Sequence, residues 1–234
     1  MTIEPYSGEN RTLVVDDHDI SCRYVMAALG QCAGTIKLAR NAREAIATAL
    51  VWHPHLICMD IHLPDINGLE VIKRIRLAWP TDQPPPRVII LTGDDSGLKQ
   101  GDLAALNIDA LLVKPVSAQQ LRDAARFHRN NRVTEPGPGV DKLELKNLFR
   151  EELERRLPEL DQCISNFDRN RAAGILHQLI ASSAICNERE LENDLRKLDA
   201  TCRRDDSTAD LARTYYALLH SAQEFLYKHP PFRQ

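Results

Sequence analysis

Over its first 130 residues the chain alternates two hydrophobic periods, and few folds accept that pattern. The runs "TLVV", "TIKLA", "HLICM", "RVIIL" and "ALLV" are short, apolar and rich in strand-forming residues. Apart from "TIKLA", which reads as an edge, they lack polar–apolar alternation, as expected of strands covered on both faces. Helical spacing fills the gaps over 20–29, 42–52, 68–79, 97–106 and 118–130. Strands alternating with helices in this way predict an α/β domain with a parallel sheet between two helical layers. "TDQPPPR" is a stiff loop feeding the fourth strand.

The pattern stops at "VTEPGPGVD". Two prolines and two glycines in nine residues cannot continue a helix and read as a linker. Beyond it every period is helical, roughly over 142–157, 159–167, 169–186, 188–203 and 207–228, which predicts an all-α bundle with short turns. The expected domains are therefore 10–131, a linker over 132–141, and a bundle over 142–230.

Composition limits the functions available. The 234 residues suffice for two modest cores. Residues 1–140 carry 15 basic and 16 acidic side chains, and 141–234 carry 15 and 17. Neither half has the basic excess of a nucleic-acid or anionic-membrane binder. The six cysteines show no C-x-x-C pair and no zinc spacing, so they read as reduced, buried thiols. There is no signal-like N-terminus and no apolar run long enough to span a bilayer, which predicts a cytoplasmic protein without membrane insertion.

In a parallel α/β sheet, ligands bind beyond the carboxyl ends of the strands. Strand one ends in "VVDD", giving Asp16 and Asp17, and strand three in "CMD", giving Asp60. Strand four ends in "ILTG", giving Thr92, and strand five in "LVKP", giving Lys114. Two like charges ~4 Å apart repel by about 4 kcal/mol at an effective dielectric of 20. Three carboxylates on one rim therefore call for a divalent cation, and an all-oxygen site with room for water suits Mg²⁺. An added ammonium and hydroxyl suit a phosphoryl group, whose oxygens must be neutralised during transfer.

Residues 10–130 resemble the receiver domain of two-component response regulators, on "LVVDDHD", "CMDIHLPDINGLE", "IILTG" and "LLVKP" at that family's spacings. The resemblance implies a flavodoxin-like fold, a five-stranded parallel sheet in the order 2-1-3-4-5. It implies that Asp60 is the phosphoacceptor and that Asp16, Asp17, Asp60 and the backbone carbonyl of His62 bind Mg²⁺. It further implies that Thr92 and Lys114 contact the phosphoryl group. Leu111 departs from the family, which usually has an aromatic there. His62 and Asp94 stand at positions that in the family vary and adjust phosphoryl lifetime, and Gly93 is small, as access to the aspartate requires.

The bundle poses its own question in "GILHQLIASSAI". Helical spacing puts Ala172, Ile175, Leu176, Leu179, Ser183 and Cys186 on one buried stripe. His177 lies about 100° round from Leu176, with the small residues Ala173, Gly174, Ala181 and Ala184 about it. Such a ring is either a packed or surface histidine or one that another protein must reach. "LHQLIASSAI" followed by Leu191, Leu195, Leu198 and Asp199 resembles the histidine phosphotransfer (HPt) family, which implies an HPt-like bundle with His177 phosphorylated. Ile180 and Ala181 replace that family's lysine and glycine, and Asn187 stands where a glycine is common.

Together these readings predict a phosphorelay protein. Asp60 would accept a phosphoryl group from a sensor or hybrid histidine kinase, and His177 would exchange one with another receiver domain. It would be no enzyme beyond its own Mg²⁺-dependent aspartyl phosphorylation. Two other readings stay open: a phosphorylation-gated adaptor whose degenerate bundle binds a partner without transfer, favoured by Ile180, and a hydrolase using the same carboxylates, which fits "LLVKP" and the fused bundle less well.

Overall fold

The computed structural model describes residues 10–30, 34–93, 100–125, 141–204 and 207–230. The five apolar runs form β1 (Arg11–Val15), β2 (Thr35–Ala39), β3 (Leu56–Asp60), β4 (Arg87–Thr92) and β5 (Ala110–Val113). They make one parallel sheet in the order β2-β1-β3-β4-β5. Every residue of β3 is buried and β2 is largely exposed, as the apolar run and the edge-like run respectively require.

Because successive strand side chains point to opposite faces, the sheet builds two cores. Leu13, Val15, Ile57, Met59, Val88 and Ile90 face one way and pack with Ala45 and Ala49 of α2 (Ala42–Trp52) and Val71 and Ile75 of α3 (Gly68–Ala78). Val14, Cys58, Ile89 and Leu91 face the other, toward Val25 and Leu29 of α1 (Asp19–Leu29) and Leu121 of α5 (Ala118–Ala125). The helix expected over 97–106 is seen as α4 (Gln100–Ala105). Its expected start, the end of the helix expected over 118–130, and residues 132–140 of the expected linker lie outside the described residues, as does Asp94.

The chain divides into two compact units, Met1–Gly139 and Val140–Gln234. The second holds α6 (Lys142–Ser165), α7 (Arg169–Ile185), α8 (Arg189–Arg204) and α9 (Thr208–Lys228). Asp141 caps α6, its carboxylate accepting from the Leu143 N–H at 2.9 Å. The stripe Ala172, Ile175, Leu176, Leu179, Ser183 and Cys186 is buried, joined by Ser182. Leu191, Leu195 and Leu198, spaced at helical intervals on α8, are also buried, and α7 packs against α8. The turns after α6 and α7 pass through left-handed residues, Phe167 at φ 54° and Asn187 at φ 59°. Asparagine tolerates that conformation next best to glycine, which suits Asn187 to that turn.

Two expectations fail here. A break at Pro158 was expected to give separate helices, yet α6 runs straight through it. Proline removes one N–H, leaving the Glu154 carbonyl without its usual donor. Glu154 and Pro158 are both exposed, so water can serve that carbonyl and the helix continues. The amphipathic run "TYYALLHSAQEFLYKH" reads in the sequence as a terminal helix whose aromatics complete the bundle. Tyr215 and Phe225 do, but Tyr216 and Tyr227 are 71% and 89% exposed.

Candidate functional site

Strand register brings the carboxyl ends level. Val15 pairs with Met59, Asp60 with Leu91, and Thr92 with Val113. Asp16, Asp17, Asp60, Thr92 and Lys114 sit at or just past those pairs and gather on one rim. Oxygens of the three aspartates lie within 4.8 Å of one another. Asp16 and Asp60 are buried and Asp17 is half-buried.

The Lys114 ammonium joins two of the three, donating to Asp16 Oδ2 at 2.9 Å and Asp60 Oδ2 at 2.6 Å. Each of those carboxylates gives its other oxygen to the backbone N–H two residues on. His18 N donates to Asp16 Oδ1 at 2.9 Å, and His62 N to Asp60 Oδ1 at 3.0 Å. Bonded on both oxygens, neither carboxylate is at liberty to turn. The Lys114 backbone N–H in turn donates to the carbonyl of buried Thr92 at 2.6 Å, fixing the lysine to the end of β4.

The electrostatics separate the three acids. Burial alone would raise the Asp60 carboxyl, but the Lys114 charge and hydrogen bond and the His62 N–H together hold it below the ordinary aspartate range. Asp60 is thus an anion at neutral pH, the form in which a carboxylate can act as a nucleophile. Burial pushes the Asp16 carboxyl up, against Lys114 and with the help of the Asp60 charge. Asp17 is raised by burial and then by Asp60. Lys114 is held firmly charged, because its two carboxylate partners outweigh the burial that would lower it. With all groups ionised, three carboxylates against one ammonium leave a surplus of two negative charges, the quantity a divalent cation supplies. The donor set is all oxygen, which fits Mg²⁺.

His18 was passed over in the sequence. Besides its N–H to Asp16, its ring caps α1 by accepting from the Ser21 N–H at 3.4 Å. Histidine is an unusual N-cap, so no composition rule flags it. Cys22 donates to the Asp16 carbonyl at 3.2 Å, and burial followed by the Asp16 charge pushes its thiol up to about 12, so it stays neutral.

His177 belongs to the second unit. It is half-buried on α7, as are Ala173, Ile180, Ala181 and Ala184, while Gly174 is exposed. A Cβ at Gly174 would meet nothing within 4 Å, so packing does not demand glycine there. Residues 172–187 carry no Asp, Glu, Lys or Arg. Beside this face, Arg156 of α6 donates to Gln178 Oε1, and Ser182 Oγ donates to the buried Glu152 at 2.6 Å. Glu152 was not recognised from sequence, because a glutamate among mixed charges reads as solvated.

Among the described residues no helix is long and apolar enough to cross a membrane. Residues 12–126 match the family model of the response regulator receiver domain. Over 111 residues the chain is 32% identical to the transcriptional regulatory protein TrcR of Mycobacterium tuberculosis, covering 47% of this chain and 42% of that protein. Over 110 residues it is 28% identical to the autoinducer 1 sensor kinase/phosphatase LuxN of Vibrio campbellii, covering 47% of this chain and 12% of that one. The crystal structure of the chemotaxis response regulator CheY4 of Vibrio cholerae is 25% identical with a TM-score of 0.44, covering 50% of this chain and 95% of CheY4. The chain spans less than half the length of these curated relatives. Residues 12–126 are a response regulator receiver domain.

Proposed function

We propose that the protein is a cytoplasmic phosphorelay intermediate that takes a phosphoryl group on Asp60 and exchanges one through His177. The observation that carries the first half is the Lys114 ammonium bridging Asp16 and Asp60, with Asp17 in the same cluster. Asp16, Asp17, Asp60 and the His62 carbonyl would hold Mg²⁺, which when bound neutralises charge on the phosphoryl oxygens. An Asp60 oxygen attacks the phosphorus of a phosphohistidine on a sensor or hybrid kinase. The O–P bond forms as the P–N bond breaks, and the electron pair leaves on the imidazole nitrogen, which takes up a proton. Lys114 and the Thr92 hydroxyl would contact the incoming phosphoryl oxygens, the lysine exchanging part of its hold on Asp60 for them.

The second half rests on α7. Neutral imidazole is a nucleophile at cytosolic pH, and α7 itself carries no charged side chain over 172–185 around His177, with small residues at Ala173, Gly174 and Ala181. Such a face suits the close approach of another receiver's strand-end rim. The adaptor reading is favoured by one feature, the half-buried Ile180 where a transferring bundle usually has lysine.

The test of the receiver half is labelling by acetyl phosphate in the presence of Mg²⁺. Labelling is expected in wild type, lost in Asp60→Asn and strongly reduced in Lys114→Ala. Stoichiometric label persisting in Asp60→Asn would move the acceptor elsewhere.

A further inference from the structure

The first turn of α2 is capped from two directions. Asn41 accepts from the Glu44 N–H at 2.9 Å, and the Glu44 side chain accepts from the Arg40 N–H at 2.8 Å. A donor between them turns to a different element. The Ala42 N–H donates to both oxygens of Asp65, at 3.0 and 2.8 Å. Asp65 lies 23 positions away, in the loop between β3 and α3, where it also accepts from its neighbour Ile66 at 3.1 Å. A carboxylate at a helix N-terminus is favoured by both the dipole and the unpaired N–H groups. Burial would raise this carboxyl, but the backbone donors hold it below the ordinary range.

That loop leaves β3 directly after Asp60. Its ends are closed by the Gly68 N–H donating to the Ile61 carbonyl at 2.8 Å, and His62 is tied to Asp60. Asp65 pins its far side to α2.

We propose that Asp65 is a positioning residue: it clamps the β3–α3 loop to the α2 N-terminus and so holds the His62 carbonyl ready for the cation. The proposal rests on the Mg²⁺ reading given above. Ordering a backbone segment costs entropy, and the clamp places that cost in folding rather than in metal binding.

Calorimetric titration of the full chain with Mg²⁺ reads this without any phosphoryl transfer. Asp65→Ala should weaken binding by about tenfold, the low end of what losing outer support does to a metal site. Asp65→Asn keeps an acceptor oxygen for α2 and should recover most of the affinity. Glu44→Ala loosens the same helix cap without touching the loop, and should lower the melting temperature in EDTA while leaving the Mg²⁺ affinity in place. Unchanged affinity in Asp65→Ala, or an equal loss in Glu44→Ala, would overturn the clamp. Absence of Mg²⁺ binding in wild type would instead overturn the metal reading beneath it.

Discussion

Lys114 decides the electrostatic balance of the rim, since it is the ammonium that joins Asp16 to Asp60. Lys114→Ala leaves two buried carboxylates without their cation, a change of the kind that costs about 3–5 kcal/mol. The sign of the pH dependence follows from the shifts. In wild type Asp60 is held below its ordinary value of 3.8, so its contribution is present above that pH and is lost as pH falls through the folded value. Without Lys114 both carboxyls should be raised, so the variant should lose stability as pH rises from about 4 to 7. Asp16 and Asp17 are already raised in wild type and oppose the Asp60 trend, so urea denaturation of both proteins in EDTA should show the steeper loss with rising pH in the variant. Gly68 is a second residue-scale dependence. An added Cβ there would lie 2.2 Å from the Asp60 backbone oxygen, so Gly68→Ala must displace the Asp60 end of β3. Acetyl phosphate labelling of Gly68→Ala should fall sharply even where circular dichroism shows the fold retained. The cluster itself was readable because each of its members ends a strand. The bonds from the His18 and His62 N–H groups and the Asp65 clamp were not, since they depend on loop paths that periodicity does not encode.

At the scale of elements, the bundle is held by its core more than by its surface pairs. Phe149 is fully buried and its ring lies 5.0 Å from that of Phe225, joining α6 to α9. Phe149→Ala should cost about 3–5 kcal/mol, read as a lowered midpoint of bundle unfolding in urea. The lower end of the same pair of helices carries a titratable contact. Lys146 lies 3.4 Å from His229 Nε2 and 2.6 Å from Glu188. Burial first, and then the Lys146 charge, lower the His229 imidazole, with Glu188 opposing. A lowered histidine favours the neutral folded form, so the bundle is most stable above the ordinary 6.5 and weakens as pH falls below it. His229→Gln should flatten that dependence between about pH 7 and 5. Strands, sheet layers and the α7 stripe follow from hydrophobic period, which is why they could be read in advance. Pro158 could not, because whether a proline ends a helix depends on the exposure of the carbonyl it leaves behind. Tyr216 and Tyr227 were misjudged because composition alone does not say which face of α9 they occupy.

At the scale of the molecule, two compact units with separate cores need not unfold together. Mg²⁺ bound by Asp16, Asp17 and Asp60 should raise the thermal transition of the receiver unit, and Asp17→Ala should remove that shift. The proposed transfer through His177 should survive Ile180 standing in place of a lysine. A half-exposed cation near a phosphohistidine is worth about 1 kcal/mol or less, under roughly tenfold in equilibrium. Ile180→Lys should therefore raise the yield of His177 phosphorylation modestly. The central claim, that one chain carries both an aspartyl and a histidyl phosphoryl site, is tested most directly by radiolabel transfer from phosphorylated hybrid kinases and receivers to wild type, Asp60→Asn and His177→Gln. The account predicts acid-labile, alkali-stable label in Asp60→Asn, its loss in His177→Gln, and aspartyl label retained in His177→Gln. Aspartyl label alone in wild type and His177→Gln, and no label in Asp60→Asn with any donor, while the bundle still binds a partner, would contradict it and leave an adaptor in place of a relay.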